Sequence, residues 1–133
     1  MRRRIMHILT VIMILVVLVF NDCSVSYAKV YKEDKMYTLV GKVQKVRWQH
    51  WLNKSWQTSY FLYLDKKITL KTTWGDKFKE KRIQMYGRTN GMNKKIRKYN
   101  GKRVKVRGVL ASHGTSYYLT DIDLEVTKIY KCK

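Results

Sequence analysis

A chain of 133 residues with 29 Lys and Arg against nine Asp and Glu has a formal charge of +20. A field of that size draws polyanions without specifying which one, and the length allows one domain and not two. Apolar residues make up 45% and aromatics 13%, which excludes wholesale disorder and leaves room for a single modest core.

The chain opens with Met1-Arg2-Arg3-Arg4, a positive n-region. The run from Ile5 to Asn21 that follows is uncharged but shorter than the roughly 20 residues of a comfortable transmembrane helix. Ser26-Tyr27-Ala28 places small residues at the two positions a signal peptidase reads. Residues 1–28 are therefore read as a secretory signal cleaved after Ala28, and residues 29–133 as a single secreted or periplasmic domain with no membrane span after cleavage. An uncleaved N-terminal anchor is the alternative. A lipid-modified Cys23 is disfavoured, because Phe20-Asn21-Asp22 precedes it where small or aliphatic residues would be needed. Cleavage after Ala28 removes Cys23 and leaves Cys132 alone, so the expectation is a monomer with a frayed tail thiol whose stability rests on its core, an interchain disulfide being the alternative. Losing Arg2, Arg3, Arg4 and Asp22 with the leader lowers the formal charge by only two. Simple solubility is the competing explanation for that charge.

Residues 29–35 read as a charged lead-in. Alternation then predicts a first strand over Tyr37–Val46, with a bend at Gly41. Tyr60–Leu64 is the second strand, Asp65-Lys66-Lys67 a turn, and Ile68–Thr72 an extension of the second strand or its partner. Arg82–Tyr86 is the third strand. Between Thr89 and Gly101 the period changes: Met92, Ile96 and Tyr99 fall on one helix face, Thr89 or Asn90 can cap the start, and Gly101 suits the left-handed position past the end. Val104, Val106, Gly108 and Leu110 alternate in a fourth strand, a loop spans Ser112–Ser116, and Ile122, Leu124 and Val126 line the inner face of a fifth. Asp121, Asp123 and Glu125 alternate with them and read as a solvated face. Three strands, a short helix and two strands is the order of an OB-fold, a mainly β, five-stranded Greek-key barrel. A generic small α+β sheet shares that order.

Four stretches carry a family likeness: Leu39-Val40-Gly41-Lys42-Val43, Phe61-Leu62-Tyr63-Leu64-Asp65-Lys66, Asn100 to Gly108, and Thr115 to Val126. Through them the chain from Tyr37 to Ile129 resembles the short exported bacterial proteins grouped as domain of unknown function family 4431. The resemblance implies an OB-like barrel outside the cytoplasm and no assigned activity. The chain departs from the family pattern at Lys67, where a proline is usual, and at Tyr117-Tyr118-Leu119, where histidines are usual, so no metal or acid–base role of those histidines transfers.

The segment Arg47-Trp48-Gln49-His50-Trp51-Leu52-Asn53-Lys54-Ser55-Trp56 is the most unusual part of the chain. In an OB-fold, the loops joining strands one to two and four to five flank the ligand groove. Here they would be Arg47–Ser59 and Ser112–Ser116. Aromatics for stacking, interleaved with cations, suit a single-stranded polyanion. The candidate ligand residues are Arg47, Trp48, His50, Trp51, Lys54, Trp56, His113 and Tyr117, with the alternative that the indoles cap an open barrel end as core. Trp74 reads as a loop-packing residue. A basic belt of Lys94, Lys95, Arg97, Lys98, Arg103, Lys105 and Arg107 completes the surface. His50 and His113, with no cysteine pair beside them, predict no metal site and no cofactor. No nucleophile motif is present, and a staphylococcal-nuclease-like hydrolase would have to use Asp121, Asp123 and Glu125. The sequence thus predicts a non-enzymatic binding module for an anionic polymer, whether nucleic acid, lipopolysaccharide or acidic glycan. An interaction or inhibitor module for an acidic protein is the second reading and a small hydrolase the third.

Overall fold

The computed structural model describes residues 4–12, 23–112 and 119–132. Residues 4–12 are helical, and among the described residues no helix is long and apolar enough to cross a membrane. The elements that follow are β1 (Tyr31–Lys32), β2 (Lys35–Gln49), β3 (Trp56–Lys71), β4 (Lys77–Tyr86), α1 (Asn90–Lys98), β5 (Arg103–Ser112) and β6 (Ile122–Lys131). Part of the leader, the loop residues His113 to Ser116, and Tyr117 lie outside the described residues.

The sheet closes on itself. Its neighbours run β3, β2, β5, β6, β4, and β4 pairs back onto β3. The β4–β6 contact is parallel and the β2–β3, β3–β4, β2–β5 and β5–β6 contacts are antiparallel. With the helix between β4 and β5, this connectivity is OB-like.

A sixth strand adds to the expected five. β1 lies in the stretch read as a charged lead-in, pairs parallel with Leu70 and Lys71 of β3, and buries Tyr31. It takes the place beside β3 that β2 leaves when it crosses to β5.

Asp65-Lys66-Lys67 is not a turn. β3 runs through it, and the β4 register shifts between Tyr63 and Ile68, so these residues form an irregularity that bends one continuous strand. Alternation cannot distinguish the two, because both interrupt the pattern with polar residues.

Leu39, Val43, Leu62, Leu64, Ile83, Val104, Val106, Leu110, Ile122 and Leu124 point into the barrel and form one core. Closing so small a barrel brings backbones together at two glycines. A Cβ on Gly41 would fall inside van der Waals contact of the Tyr63 carbonyl oxygen, and one on Gly108 would meet that of Glu125. Met92 and Tyr99 pack against the core and Ile96 enters it, which seats α1 on the barrel. The Thr89 hydroxyl accepts the Met92 N–H at 3.1 Å, and Gly101 follows the helix at φ 80°.

Glu33 ties three segments together. Its carboxylate accepts the Thr73 N–H and the Ser112 hydroxyl, both at 2.9 Å, joining the lead-in to the β3–β4 turn and the end of β5. The Thr73 hydrogen bond, helped by those from Ser112, holds the Glu33 carboxyl below its ordinary range against a smaller opposing effect of burial.

Two predictions follow from these contacts. Gly108→Ala should lower unfolding free energy by about 1–3 kcal/mol or more, because its methyl meets backbone, as urea denaturation would measure. Glu33→Gln should be less stable than wild type at neutral pH. A depressed native pKa contributes stability above the ordinary glutamate range and loses it as pH falls through the native value, so the gap in urea midpoints should narrow as the pH is lowered into the acid range.

Candidate functional site

The predicted loop Arg47–Ser59 is mostly strand. β2 continues to Gln49 and β3 starts at Trp56, so only residues 50–55 turn. The turn is tightly closed: the His50 N–H donates to the Ser55 carbonyl at 2.8 Å, the Lys54 N–H to the His50 carbonyl at 3.0 Å, and Lys54 takes a left-handed φ of 58°. The buried His50 accepts the Leu52 N–H at Nδ1. That contact gives His50 a part in shaping the turn, apart from any part in binding.

Strand alternation then divides residues that are adjacent in sequence. Trp48 faces outward, and its indole N–H donates to the Ser59 hydroxyl at 2.9 Å. Ser59 also accepts from the Gln84 amide, whose oxygen accepts the Leu119 N–H at 2.9 Å. The Gln84 N–H reaches the Thr120 hydroxyl. This chain of bonds joins the end of β2, β3 and β4 to the start of β6 on the outer wall. Phe61 is buried nearby under the Arg82 guanidinium, 4.7 Å from its ring.

The opposite side of the β2–β3 ribbon continues the inward face of the barrel past its end. There the Arg47 guanidinium stacks on the Trp56 ring at 4.8 Å. Gln49 is in register with Trp56, Arg47 with Thr58 and Lys45 with Tyr60, which aligns the cations with the aromatics. Thr58 and Tyr60 form one wall of an open groove of about 420 Å³, and Asn90, Asn93, Lys94 and Arg97 of α1 form the other. The helical spacing i, i+3, i+4, i+7 explains why those four share a face.

Trp51 and Trp56 are 66% and 60% exposed, so neither caps the barrel as core; Trp48 is half-buried. Trp74 does not pack a loop, being 92% exposed at the β3–β4 turn. The basic belt is two surfaces. Lys94 and Arg97 line the groove, whereas Arg103, Lys105 and Arg107 lie on β5, in register with Lys42, Val40 and Thr38 of β2. Arg103 makes a two-pronged bond to Asp65 at 2.9 and 2.7 Å, and the Arg107 Nε–H points at the Met36 sulfur. The Arg103 hydrogen bonds hold the Asp65 carboxyl below its ordinary range. Lys95 and Lys98 are exposed on α1 outside the groove.

The acidic strand face is not uniformly solvated. Asp121 is exposed, Asp123 is buried between Gln84 of β4 and Ala111 of β5, and Glu125 pairs with Arg88. Flanking strands on both sides remove Asp123 from water, which alternation alone does not reveal. Among the described residues, no three His, Cys, Asp or Glu side chains come together as a metal site.

No family model and no curated protein sequence matches the chain. Among solved structures, the chain is similar to the small single-stranded DNA-binding protein from Streptomyces coelicolor, at 18% identity over 74% of this chain and 93% of that chain, with a TM-score of 0.41. The OB-like description rests on the strand connectivity given above.

The two sides of the ribbon should respond differently to substitution. Trp48→Phe, which removes a donor to buried Ser59, should cost about 1 kcal/mol in urea unfolding. Trp51→Ala and Trp56→Ala should each stay within about 0.5 kcal/mol of wild type, as exposed side chains do.

Proposed function

We propose that the protein is an exported, non-enzymatic OB-like module that binds an anionic polymer in the groove between the β2–β3 ribbon and α1. The observation that carries this reading is the exposed Trp56 ring stacked under Arg47 and aligned with a groove whose far wall presents Lys94 and Arg97. A flat ring for stacking on the ribbon, with Lys94 and Arg97 on the helical wall of the groove, suits a single strand of nucleic acid better than a compact anion. The strong positive charge, +20 over the full chain and little changed by loss of a leader, brings such a polymer to the surface from a distance. Export is supported by Arg2–Arg4 and the uncharged run to Asn21. Kinship with domain of unknown function family 4431 belongs to the same proposal and rests on the four stretches quoted above. A non-catalytic role is favoured by the three different environments of Asp121, Asp123 and Glu125.

The test is the anisotropy of a labelled single-stranded DNA oligonucleotide titrated with the protein at several salt concentrations, with lipopolysaccharide and an acidic glycan as competitors. Binding should saturate, and Trp56→Ala should weaken it by about 1–3 kcal/mol, roughly 5- to 150-fold. Lys94→Gln with Arg97→Gln should flatten the salt dependence by about two released counterions. Equal, weak affinity for every polymer, gone at physiological salt, would sink the reading and direct attention to an acidic protein engaged through exposed Trp51 and Leu52. Metal-dependent loss of the oligonucleotide would instead indicate a hydrolase.

A further inference from the structure

We propose that the processed chain keeps Cys23, joined by a disulfide to Cys132, so that any cleavage on export falls ahead of residue 23 and not after Ala28. The two cysteines are bonded, with Cα atoms 5.6 Å apart across a separation of 109 residues, a span inside the ordinary range for protein disulfides. Cys132 is not a frayed tail. Its N–H donates to the Arg103 carbonyl at 2.9 Å, extending the β5–β6 ladder past Lys131.

The residues between Cys23 and β1 are seated on the barrel independently of the sulfur bridge. Leu39 points into the core, so its neighbour Val40 points outward, yet Val40 is only 2% exposed. It lies in a cavity of about 370 Å³ shared with Cys23, Val25, Tyr27, Asp65 and Cys132. Tyr27 packs against the core cluster with its hydroxyl buried, and the Lys66 ammonium sits 4.7 Å from its ring. The Ala28 N–H donates to the Tyr31 hydroxyl, leading the strap directly into β1. Cleavage after Ala28 would strip Tyr27 from the wall, open Val40 to water and strand Cys132 without its partner.

Forming the bridge converts two thiols to one disulfide. The two electrons and two protons pass to a disulfide-bearing oxidant of the export compartment, which is reduced to a dithiol. The inference is independent of what the groove binds.

The experiment is to express the full chain with its own leader in an exporting bacterium, alkylate free thiols during isolation without reductant, and measure the intact mass and the linked peptides. The expected product starts at or ahead of Cys23, is two hydrogens lighter than its dithiol form, carries no alkyl group, and yields a peptide of Cys23 crosslinked to Cys132. A product starting at Lys29 with alkylated Cys132 would overturn the proposal, as would a chain containing Cys23 with both thiols alkylated. A second arm follows thermal unfolding. Reductant should lower the wild-type midpoint by roughly 10 °C or more and leave Cys23→Ser unmoved; a wild-type midpoint indifferent to reductant would also refute the bridge.

Discussion

Closure of the sheet is the constraint on which everything else depends. A short chain cannot cover a flat sheet on both faces, so this one curls until β4 meets both β3 and β6, leaving one apolar interior and few open edges. Such curling demands long, bent strands and backbones in near contact, which is why Gly41 and Gly108 stand where β2 passes β3 and β5 passes β6. It also has a by-product. β2 and β3 are longer than the barrel is tall, and their surplus projects as the two-stranded ribbon that bears Arg47, Trp48 and Trp56.

Charge plays no comparable part inside. The core cluster is apolar, Asp123 is buried on the face of β6 that turns away from it, and the described lysines and arginines lie on the outside. Arg88 joins Glu125 and Arg103 joins Asp65, and with 29 Lys and Arg against nine Asp and Glu most of the positive charge is left to repel itself or to meet something acidic. A fold held by burial tolerates such a surface, since exposed charges cost little while solvated. Lys94 and Arg97 of the groove are thus free to vary in charge without disturbing the barrel.

Much of the fold was legible in the sequence, because Val104–Leu110 and Ile122–Val126 alternate cleanly and Met92, Ile96 and Tyr99 mark one helix face. β1 was not legible: two residues are too few to show a period, and Tyr31 owes its burial to a distant stretch of β3. The irregularity at Asp65–Lys67 imitated a turn for want of any local mark separating the two. The site was half visible. The run Arg47–Trp56 stood out by composition, but the strand parity that sets Trp48 on one side and Arg47 with Trp56 on the other depends on where β2 ends, and polar residues there blur the boundary. That Asn93 and Arg97 line the same groove as Thr58 is a long-range fact of closure, which no local pattern carries.

The bond between Cys23 and Cys132 encloses β1 to β6 and α1 within one covalent circuit. A chain joined in this way behaves as a ring. Cys132 directly follows β6 and Cys23 lies ahead of β1, so a terminal strand that leaves the barrel stays tethered to the opposite end of the circuit.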